Sequence, residues 1–197
     1  MATTRERWRN RLPHWEVADQ PHFVTIHCAH SLPQDVRAKI AEIKTSLDTI
    51  APMSEKFGVL QRQYFLTYEK YFDHATGFAP FLQGEVCQIV LTAWLNFERQ
   101  EGWRVAHHVI MPNHVHFLMN PVKPTATALR ICLPKFKGRI ARLANQVLAR
   151  RALFWQPDWF DRWMRNEAET MRVVDYIQNN PVKAGLVQHW QDYRWVK

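Results

Sequence analysis

The chain is poor in glycine and cysteine, and it has no long hydrophobic run. Only 6 of its 197 residues are glycine, which argues against a glycine-rich linker and against a disordered chain. The three cysteines, Cys28, Cys87 and Cys132, are far apart, and no Cys-x-x-Cys pair occurs. A zinc ribbon and a disulfide framework are therefore both disfavoured, and reduced thiols in the cytoplasm are the simplest expectation.

Segments that would carry the chain into or across a membrane are also missing from the sequence. No apolar run approaches the ~20 residues that a bilayer-spanning helix needs, so we expect no membrane partner. The N-terminus holds four arginines without a hydrophobic segment behind them, unlike a secretory signal. We expect residues 1–20 to form a flexible basic arm.

Acidic residues are the minority charge. The chain has 26 lysines and arginines against 18 aspartates and glutamates, which gives a net charge of +8 and a pI near 9.7. A polyanion such as nucleic acid is the natural partner of this charge. Nine tryptophans support that partner, because bases stack on aromatic side chains beside basic ones. Most tryptophans should still be core residues, and a basic protein without such a partner is the alternative.

Hydrophobic periodicity indicates one domain over residues 21–197 that mixes strands and helices. The chain order is a strand, a helical insertion over 34–80, and then helix, strand, strand, helix, strand and helix. That order fits an α+β ferredoxin-like βαββαβ antiparallel sheet with helices on one face. The predicted strands lie over 22–30, 103–111, 114–119 and within 159–164, and the predicted helices over 34–50, 85–99, 125–150 and 166–179.

The most informative stretch is Pro112-Asn113-His114-Val115-His116, which continues into an apolar run. Side chains alternate between the two faces of a strand, so His114 and His116 share one face and the residues between and after them point into a core. Two imidazoles on one face are half of a divalent-metal site. A His-x-His pair in a strand is also often structural, so the pair alone does not establish a metal centre.

Two further polar side chains share a helix face near residue 180. Tyr176 is predicted to lie mid-helix with Asn180 one turn later, and Val174 and Ile177 can anchor that helix to the sheet. If this face meets the paired imidazoles, the imidazoles and the amide oxygen can bind a divalent cation beside a phosphate. The phenol oxygen can then attack the phosphorus. A half-buried packing tyrosine and a helix-terminal asparagine are the structural alternatives.

Several segments together resemble a known family. They are Phe23-Val-Thr-Ile, Ser31-Leu-Pro, Val109-Ile-Met-Pro-Asn-His-Val-His-Phe-Leu-Met, Phe154-Trp-Gln, Phe160-Asp-Arg and Tyr176-Ile-Gln-Asn-Asn-Pro-Val-Lys-Ala-Gly-Leu-Val. The chain is similar in these segments to the REP-associated tyrosine transposases, which are relatives of the IS200/IS605-type Y1 transposases in the HUH nuclease superfamily. The resemblance covers about residues 20–195.

The resemblance implies roles for four residues. His114 and His116 would be the metal ligands of the HUH motif, and Asn180 would complete the shell around Mg²⁺ or Mn²⁺. Tyr176 would be the nucleophile, forming a 5′-phosphotyrosine and releasing a 3′-OH. The implied substrate is single-stranded DNA with REP-type hairpins and a short guide tetranucleotide beside the stem. The implied enzyme is a metal-dependent, transposase-like DNA endonuclease and strand transferase.

Basic side chains in two places are candidates for contacts with DNA phosphates, with a solvated surface as the alternative. They are Arg5, Arg7, Arg9 and Arg11 in the predicted arm, and Lys135, Lys137, Arg139 and Arg142 in the predicted helix over 125–150.

Two other functions stay open at the level of sequence. One is a regulatory protein that binds structured single-stranded DNA without cleaving it. The other is a metal-dependent RNA hydrolase in which Tyr176 is idle. The sequence also does not separate a monomer from a homodimer that exchanges the tyrosine helix. It does not name the hairpin, the cleavage site, the preferred metal or the role in the cell.

Overall fold

A four-stranded antiparallel sheet forms the centre of this α+β fold. The structure is a computed structural model, and it describes residues 3–9, 13–31, 38, 41–43, 45–46, 49–50, 59–60, 63, 65–67, 77–122 and 126–197. Its strands and helices are β1 (Thr4–Arg9), β2 (Pro13–Val17), β3 (His22–His27), α1 (Gly84–Glu101), β4 (Trp103–Met111), β5 (His114–Pro121), α2 (Leu129–Val147), β6 (Phe160–Trp163) and α3 (Glu167–Lys183), with short 3-10 helices at Pro80–Leu82 and Trp190–Asp192.

The sheet has the strand order β4-β5-β3-β6, and every neighbouring pair is antiparallel. β3 and β5 pair in the middle, in a register that runs from His22 opposite Met119 to His27 opposite His114. The order of strands and helices along the chain from β3 to α3 is the one that the hydrophobic periodicity predicted. Because β3 and β5 are central, their side chains are buried on both faces of the sheet.

One face of the sheet packs against α1 and α2. Alternation along β3 and β5 turns one set of apolar side chains toward these helices, and each such side chain contributes roughly 1.5–3 kcal/mol when fully buried. This core therefore fixes which side of β5 remains for the two histidines. Its members include Val24, Ile26, Val115, Phe117 and Met119 from the strands, Val90, Trp94 and Phe97 from α1, and Leu133, Phe136 and Ile140 from α2.

The opposite face of the sheet packs against α3. Phe23 of β3 and Leu118 of β5 form a second core there with Val174 and Ile177 of the helix. The predicted arrangement with helices on one face holds for α1 and α2, but α3 lies on the other side. The reason is that the second face also carries apolar side chains, Phe23 and Leu118 among them, and α3 has an apolar stripe of its own that packs on them.

The boundaries of α3 follow from its capping residues. Asn166 is the N-cap, and its side-chain oxygen accepts a hydrogen bond from the Glu169 backbone N–H at 2.8 Å. Glu169 accepts in turn from the Arg165 backbone N–H at 2.9 Å, one residue before the N-cap, so both side chains satisfy backbone donors at this end of the helix. The helix continues past the predicted end near Asn179 and includes Pro181, because a proline in the last turn removes only one helical hydrogen bond.

The strands β1 and β2 pair antiparallel, and together they are named here the N-terminal hairpin. The expectation of a flexible arm over residues 1–20 is wrong for these residues, because β2 packs against β6 and buries polar side chains there. The Glu16 carboxylate is fully buried, and it accepts a hydrogen bond from the first backbone N–H of α2, on Leu129, at 2.7 Å. Arg5 lies 3.1 Å from the same carboxylate.

His14 holds the other side of the N-terminal hairpin. Its Nδ1 contacts the Asp161 carboxylate of β6, and its Nε2 lies 3.0 Å from an Asp158 carboxylate oxygen. Burial alone would lower the pKa of His14, but these two carboxylates outweigh burial and raise the pKa to about 9. Trp8 stacks on the imidazole with ring centroids 4.8 Å apart. A buried cation between two anions therefore ties this hairpin to the edge of the sheet.

The predicted insertion over 34–80 lies largely outside the described residues. The described positions 38, 41–43, 45–46, 59–60, 63 and 65–67 are helical. Phe65 is one of them, and it packs against the second core.

At the β4 edge of the sheet, the backbone of Lys197 exchanges hydrogen bonds with that of His108. Within the part of the chain that the structure describes, no helix combines the length and the apolarity needed to cross a membrane.

Candidate active site

Two histidines of β5 face α3 from the centre of the sheet. His114 and His116 are both fully buried, and their ring centroids are 4.6 Å apart. Val115, between them, lies in the core on the other face. The structure therefore has the alternation that the sequence predicted, with both imidazoles on one side of the strand. They lie on the face where α3 packs, which is the arrangement that a joint site requires.

Each imidazole has an oxygen atom beside its Nδ1. The side-chain oxygen of Asn113 lies 2.6 Å from Nδ1 of His114, and Oγ1 of Thr25 lies 2.8 Å from Nδ1 of His116. Histidines that bind metals usually donate their second ring N–H to an oxygen of this kind. Thr25 reaches His116 because β3 and β5 pair these two residues directly.

Tyr176 of α3 lies against His116. Its Oη is 3.4 Å from Nε2 of His116, and the two ring centroids are 5.3 Å apart. Phe23 and Phe65 contact the phenol ring edge to face, with centroids 5.9 and 5.7 Å away. These contacts hold the half-buried phenol at the sheet face, with its oxygen beside the imidazole.

Asn180 lies one helical turn after Tyr176 and is only 1 % exposed. Its side-chain oxygen has no hydrogen-bond partner among the described residues. A buried amide oxygen without a partner is costly, and a bound cation is one way to satisfy it. This oxygen is also a suitable ligand for a hard divalent ion.

Two imidazole nitrogens and one amide oxygen are donors of the kind that a divalent cation accepts. In the described ranges no group of three or more His, Cys, Asp or Glu side chains is arranged as a metal site. The donors available on this face are therefore mixed, with nitrogen from His114 and His116 and oxygen from Asn180. Such a set of donors is compatible with several divalent ions, and it contains no thiolate, which is a softer ligand.

A lysine supplies positive charge beside the phenol. Lys183, in the last turn of α3, places its Nζ 5.1 Å from the centroid of the Tyr176 ring. Lys183 is exposed, so its ammonium can meet a ligand that approaches from solvent. An anion beside Tyr176 would be attracted by this charge.

The basic residues that were predicted to contact DNA have different environments. Lys137 is only 7 % exposed, and its Nζ donates to the backbone carbonyls of Gln156, Pro157 and Asp158. The structure thus contradicts the predicted phosphate contact of Lys137, because its ammonium is fully engaged inside the protein. Burial lowers the pKa of Lys137 to about 8, with Asp158 opposing the shift.

The other candidates on α2 lie across the sheet from the histidines. Arg139 and Arg142 are exposed on this helix, and Lys135 pairs with Glu101 at 3.3 Å. In the N-terminal hairpin, Arg7 stacks on Trp15 with 4.4 Å between its guanidinium carbon and the ring centroid. The Arg9 side chain and Arg11 lie outside the described residues. The structure brings none of the described basic candidates beside Tyr176.

Sequence reasoning missed several neighbours of the site. They are Thr25, Asn113, Phe65, Lys183 and His27, whose ring centroid is 5.6 Å from that of His114. Signals existed for some of them. Strand alternation already put Thr25 and His27 on one face of β3, and Asn113 directly precedes the first motif histidine. No local pattern pointed to Phe65, which comes from the insertion.

No family model matches the chain. A Haemophilus influenzae protein named "Putative REP-associated tyrosine transposase" is 29% identical over 92 residues, which cover 43% of this chain and 52% of that protein. An uncharacterized protein of the same organism is 25% identical over 101 residues, covering 40% of this chain and 54% of that protein. The chain spans about half the length of the curated relatives it matches.

A solved structure is similar over nearly the whole chain. It is the structure of a REP-associated tyrosine transposase bound to a REP hairpin, and the TM-score is 0.57 at 16% identity. The superposition covers 95% of this chain and 82% of that chain. At this identity the likeness shows a shared fold. Together with the curated relative, it confirms the resemblance to the REP-associated tyrosine transposases that the sequence motifs indicated.

Proposed function

We propose that this protein is a metal-dependent endonuclease and strand transferase that cleaves and rejoins REP-type hairpin DNA through a 5′-phosphotyrosine. One observation carries the proposal: Oη of Tyr176 lies 3.4 Å from Nε2 of His116, although the residues are 60 positions apart in the chain. The contact brings a phenol oxygen to a ring nitrogen of a histidine in the His-x-His motif. A nucleophile beside a metal ligand requires it.

The chemical step is an exchange of one phosphodiester for another. The Tyr176 oxygen attacks phosphorus in single-stranded DNA, a new P–O bond to tyrosine forms, and the bond to the 3′ oxygen breaks. The phenol loses its proton, and the released 3′ oxygen gains one. The phosphotyrosine conserves the energy of the broken bond, so attack by a 3′-OH restores a DNA strand without ATP.

His114, His116 and Asn180 would hold Mg²⁺ or Mn²⁺ in this proposal. The bound ion would supply Lewis-acid stabilisation of the charge that develops on the phosphate oxygens. The residues of the chain do the rest. Phe23 and Phe65 orient the phenol, and α3, capped at Asn166 and packed on the sheet, keeps it in place. Because Tyr176 and His116 of one chain already meet, the structure supports a nucleophile that acts within its own subunit.

Single-stranded hairpin DNA is the proposed partner. The net charge of +8 favours a polyanion, and the solved structure with the shared fold is bound to a REP hairpin. Arg7, Arg139 and Arg142 remain candidates for phosphate contacts, and Lys183 joins them at the site itself. We place the activity in the cytoplasm, because all three cysteines are free thiols.

The test is covalent capture of DNA. A 3′-labelled oligonucleotide with a REP-type hairpin from the DNA that flanks the gene is incubated with the protein and Mn²⁺ or Mg²⁺. A labelled protein–DNA adduct should survive denaturing electrophoresis and should vanish with Tyr176→Phe. Tyr193→Phe is the matched control, because the Tyr193 hydroxyl donates to the Ile110 carbonyl and serves packing. This control should keep the adduct.

Other outcomes separate the alternatives. An adduct that persists in Tyr176→Phe refutes the proposed nucleophile. Hairpin binding in EDTA, with no cleavage at any concentration of either ion, identifies a binding protein without catalysis. Cleavage of an RNA version of the hairpin, with no adduct formed, identifies a hydrolase in which water attacks.

A further inference from the structure

We propose that Thr25 and Asn113 are positioning residues that hold both site histidines in the tautomer with the proton on Nδ1 and the lone pair on Nε2. The inference rests on the proposed function, because the lone pair on Nε2 matters when the imidazole serves as a ligand or accepts from the phenol. Neither residue contacts the reacting atoms in this scheme. Each acts through the histidine beside it.

Asn113 sets the tautomer of His114 by its chemistry. Its side-chain oxygen lies 2.6 Å from Nδ1 of His114, and an amide oxygen can only accept a hydrogen bond. Nδ1 of His114 therefore carries the hydrogen, and Nε2 carries the lone pair. The other tautomer would place two lone pairs face to face in a buried site and would lose the hydrogen bond.

The turn that carries Asn113 is fixed by backbone hydrogen bonds. The Asn113 carbonyl accepts from the Cys28 N–H at 2.8 Å, and the Pro112 carbonyl accepts from the Phe81 N–H at 3.1 Å. Asn113 itself is only 2 % exposed. Its side chain therefore starts from a backbone that cannot shift easily, which is what a residue that orients an imidazole needs.

Thr25 reaches His116 from the neighbouring strand. Its Oγ1 lies 2.8 Å from Nδ1 of His116, and the hydroxyl is fully buried. A hydroxyl can donate or accept, so Thr25 alone does not set the tautomer. Tyr176 resolves the choice, because its hydroxyl lies near Nε2 and a phenol is the better donor to a ring lone pair. In the arrangement that satisfies both contacts, the Tyr176 O–H donates to Nε2 of His116, and the Nδ1–H of His116 donates to Oγ1 of Thr25.

The expected effect of losing either oxygen is weaker metal binding. Removing a group that orients a metal-binding histidine typically costs 10–100-fold in affinity. Without the acceptor, the imidazole divides between two tautomers and two ring orientations, and only one combination presents Nε2 to the ion. The effect should therefore appear in the DNA-free protein, before any reaction occurs.

Two measurements on the DNA-free protein test the inference. The first is long-range ¹H–¹⁵N NMR of the imidazoles in metal-free protein at pH 8, which reports the tautomer directly. The wild type should show the Nδ1–H form for His114 and His116. The second is the Mn²⁺ dissociation constant from electron paramagnetic resonance of the free ion.

The variants are matched in pairs. Thr25→Val keeps the shape and removes the oxygen, whereas Thr25→Ser keeps the oxygen. Asn113→Ala removes the acceptor, whereas Asn113→Asp keeps one. Thr25→Val and Asn113→Ala should weaken Mn²⁺ binding by roughly 10–100-fold. Thr25→Ser should bind within a few-fold of wild type, and Asn113→Asp at least as tightly as wild type.

The two proposals fail in different ways. A wild type that shows the Nδ1–H tautomers but binds no Mn²⁺ counts against the metal site of the proposed function and leaves the positioning role intact. A wild type that binds Mn²⁺ while its site imidazoles carry the proton on Nε2 overturns the positioning role. Equal Mn²⁺ affinity in Thr25→Val and Thr25→Ser also overturns it for Thr25. If a variant does not fold, the tautomers of the wild type still decide the question.

Discussion

His14 and His116 are both buried histidines in β-strands, and the groups beside their ring nitrogens differ in charge. His14 of the N-terminal hairpin lies between the carboxylates of Asp161 and Asp158, which raise its pKa to about 9 against the effect of burial. His116 of β5 has the hydroxyl groups of Thr25 and Tyr176 beside its two ring nitrogens. Carboxylates lie beside the ring nitrogens of His14, and hydroxyl groups lie beside those of His116.

This difference shows how one residue type serves two purposes in the same protein. Carboxylates turn a buried histidine into a cation, and both ring nitrogens are then occupied by protons. Such a histidine can hold two parts of the structure together but cannot bind a metal. Neutral oxygens impose no such charge, so an imidazole among them can keep a lone pair for a ligand. His14 therefore serves stability, whereas the neighbours of His116 suit the role that we propose for it.

Replacement of His116 should have the largest effect on activity. In His116→Gln the rate of adduct formation should fall about a thousandfold, because the loss of metal stabilisation of the transition state costs several kcal/mol. The free energy of unfolding should change by only about 1 kcal/mol, as is usual for a single substitution. Single-turnover kinetics and urea unfolding on the same preparation measure both. A large loss of stability with normal kinetics would reverse the assignment.

Replacement of His14 should change stability in a pH-dependent way. The folded pKa of about 9 exceeds the unfolded value of 6.5, so the imidazolium stabilises the fold fully below pH 6.5. The advantage of wild type over His14→Gln should therefore shrink by on the order of 3 kcal/mol as the pH rises through 9. Urea unfolding at pH 6, 8 and 10 measures this difference.

The comparison of wild type with His14→Gln also separates the titration of His14 from that of Lys137. Burial lowers the pKa of Lys137 to about 8, so its titration raises stability with pH, but wild type and variant share it. A difference between wild type and His14→Gln that is the same at all three pH values would contradict the charged state of His14. Adduct formation by folded His14→Gln should match wild type, since the contacts of His14 are with Asp158, Asp161 and two tryptophan rings at the edge of the sheet.

The smallest expected effect concerns the cation nearest the phenol. Lys183→Met keeps the aliphatic stem and removes the charge that lies 5.1 Å from the Tyr176 ring. Adduct formation at low salt should slow roughly two- to fivefold, as expected when one exposed cation no longer attracts the DNA phosphate. Lys183→Arg should react like wild type. The difference in the rate of adduct formation between Lys183→Met and Lys183→Arg should disappear in about 0.5 M salt, because salt screens the charge. A salt-independent gap would point to packing by the lysine stem.

Much of the site was predictable because its patterns are local. Strand alternation places His114 and His116 on one face, and helical spacing places Tyr176 and Asn180 on another. The cap at Asn166 is also visible in sequence, since its partner is three residues away. That these two faces meet was an expectation from the family resemblance, and the 3.4 Å contact of Tyr176 with His116 now supports it geometrically.

The parts that escaped prediction depend on contacts between distant residues. His14 and Asp161 are 147 positions apart, so nothing near residue 14 shows that the basic N-terminus will bury an ion pair. Lys137 is an instructive intermediate case. It lies four positions after Leu133 and three before Ile140, on the apolar stripe of α2, and this spacing could have indicated that its ammonium is inside.

The two-residue connection between β4 and β5 limits how this protein can be engineered. Short hairpin loops are usual targets for consensus or Asn-Gly replacement, which often increases thermostability. Here both backbone carbonyls of Pro112 and Asn113 are already in use, and so is the Asn113 side chain. A redesigned loop that improves the hairpin on its own would misplace three acceptors together, so stabilisation of this protein should begin elsewhere on its surface.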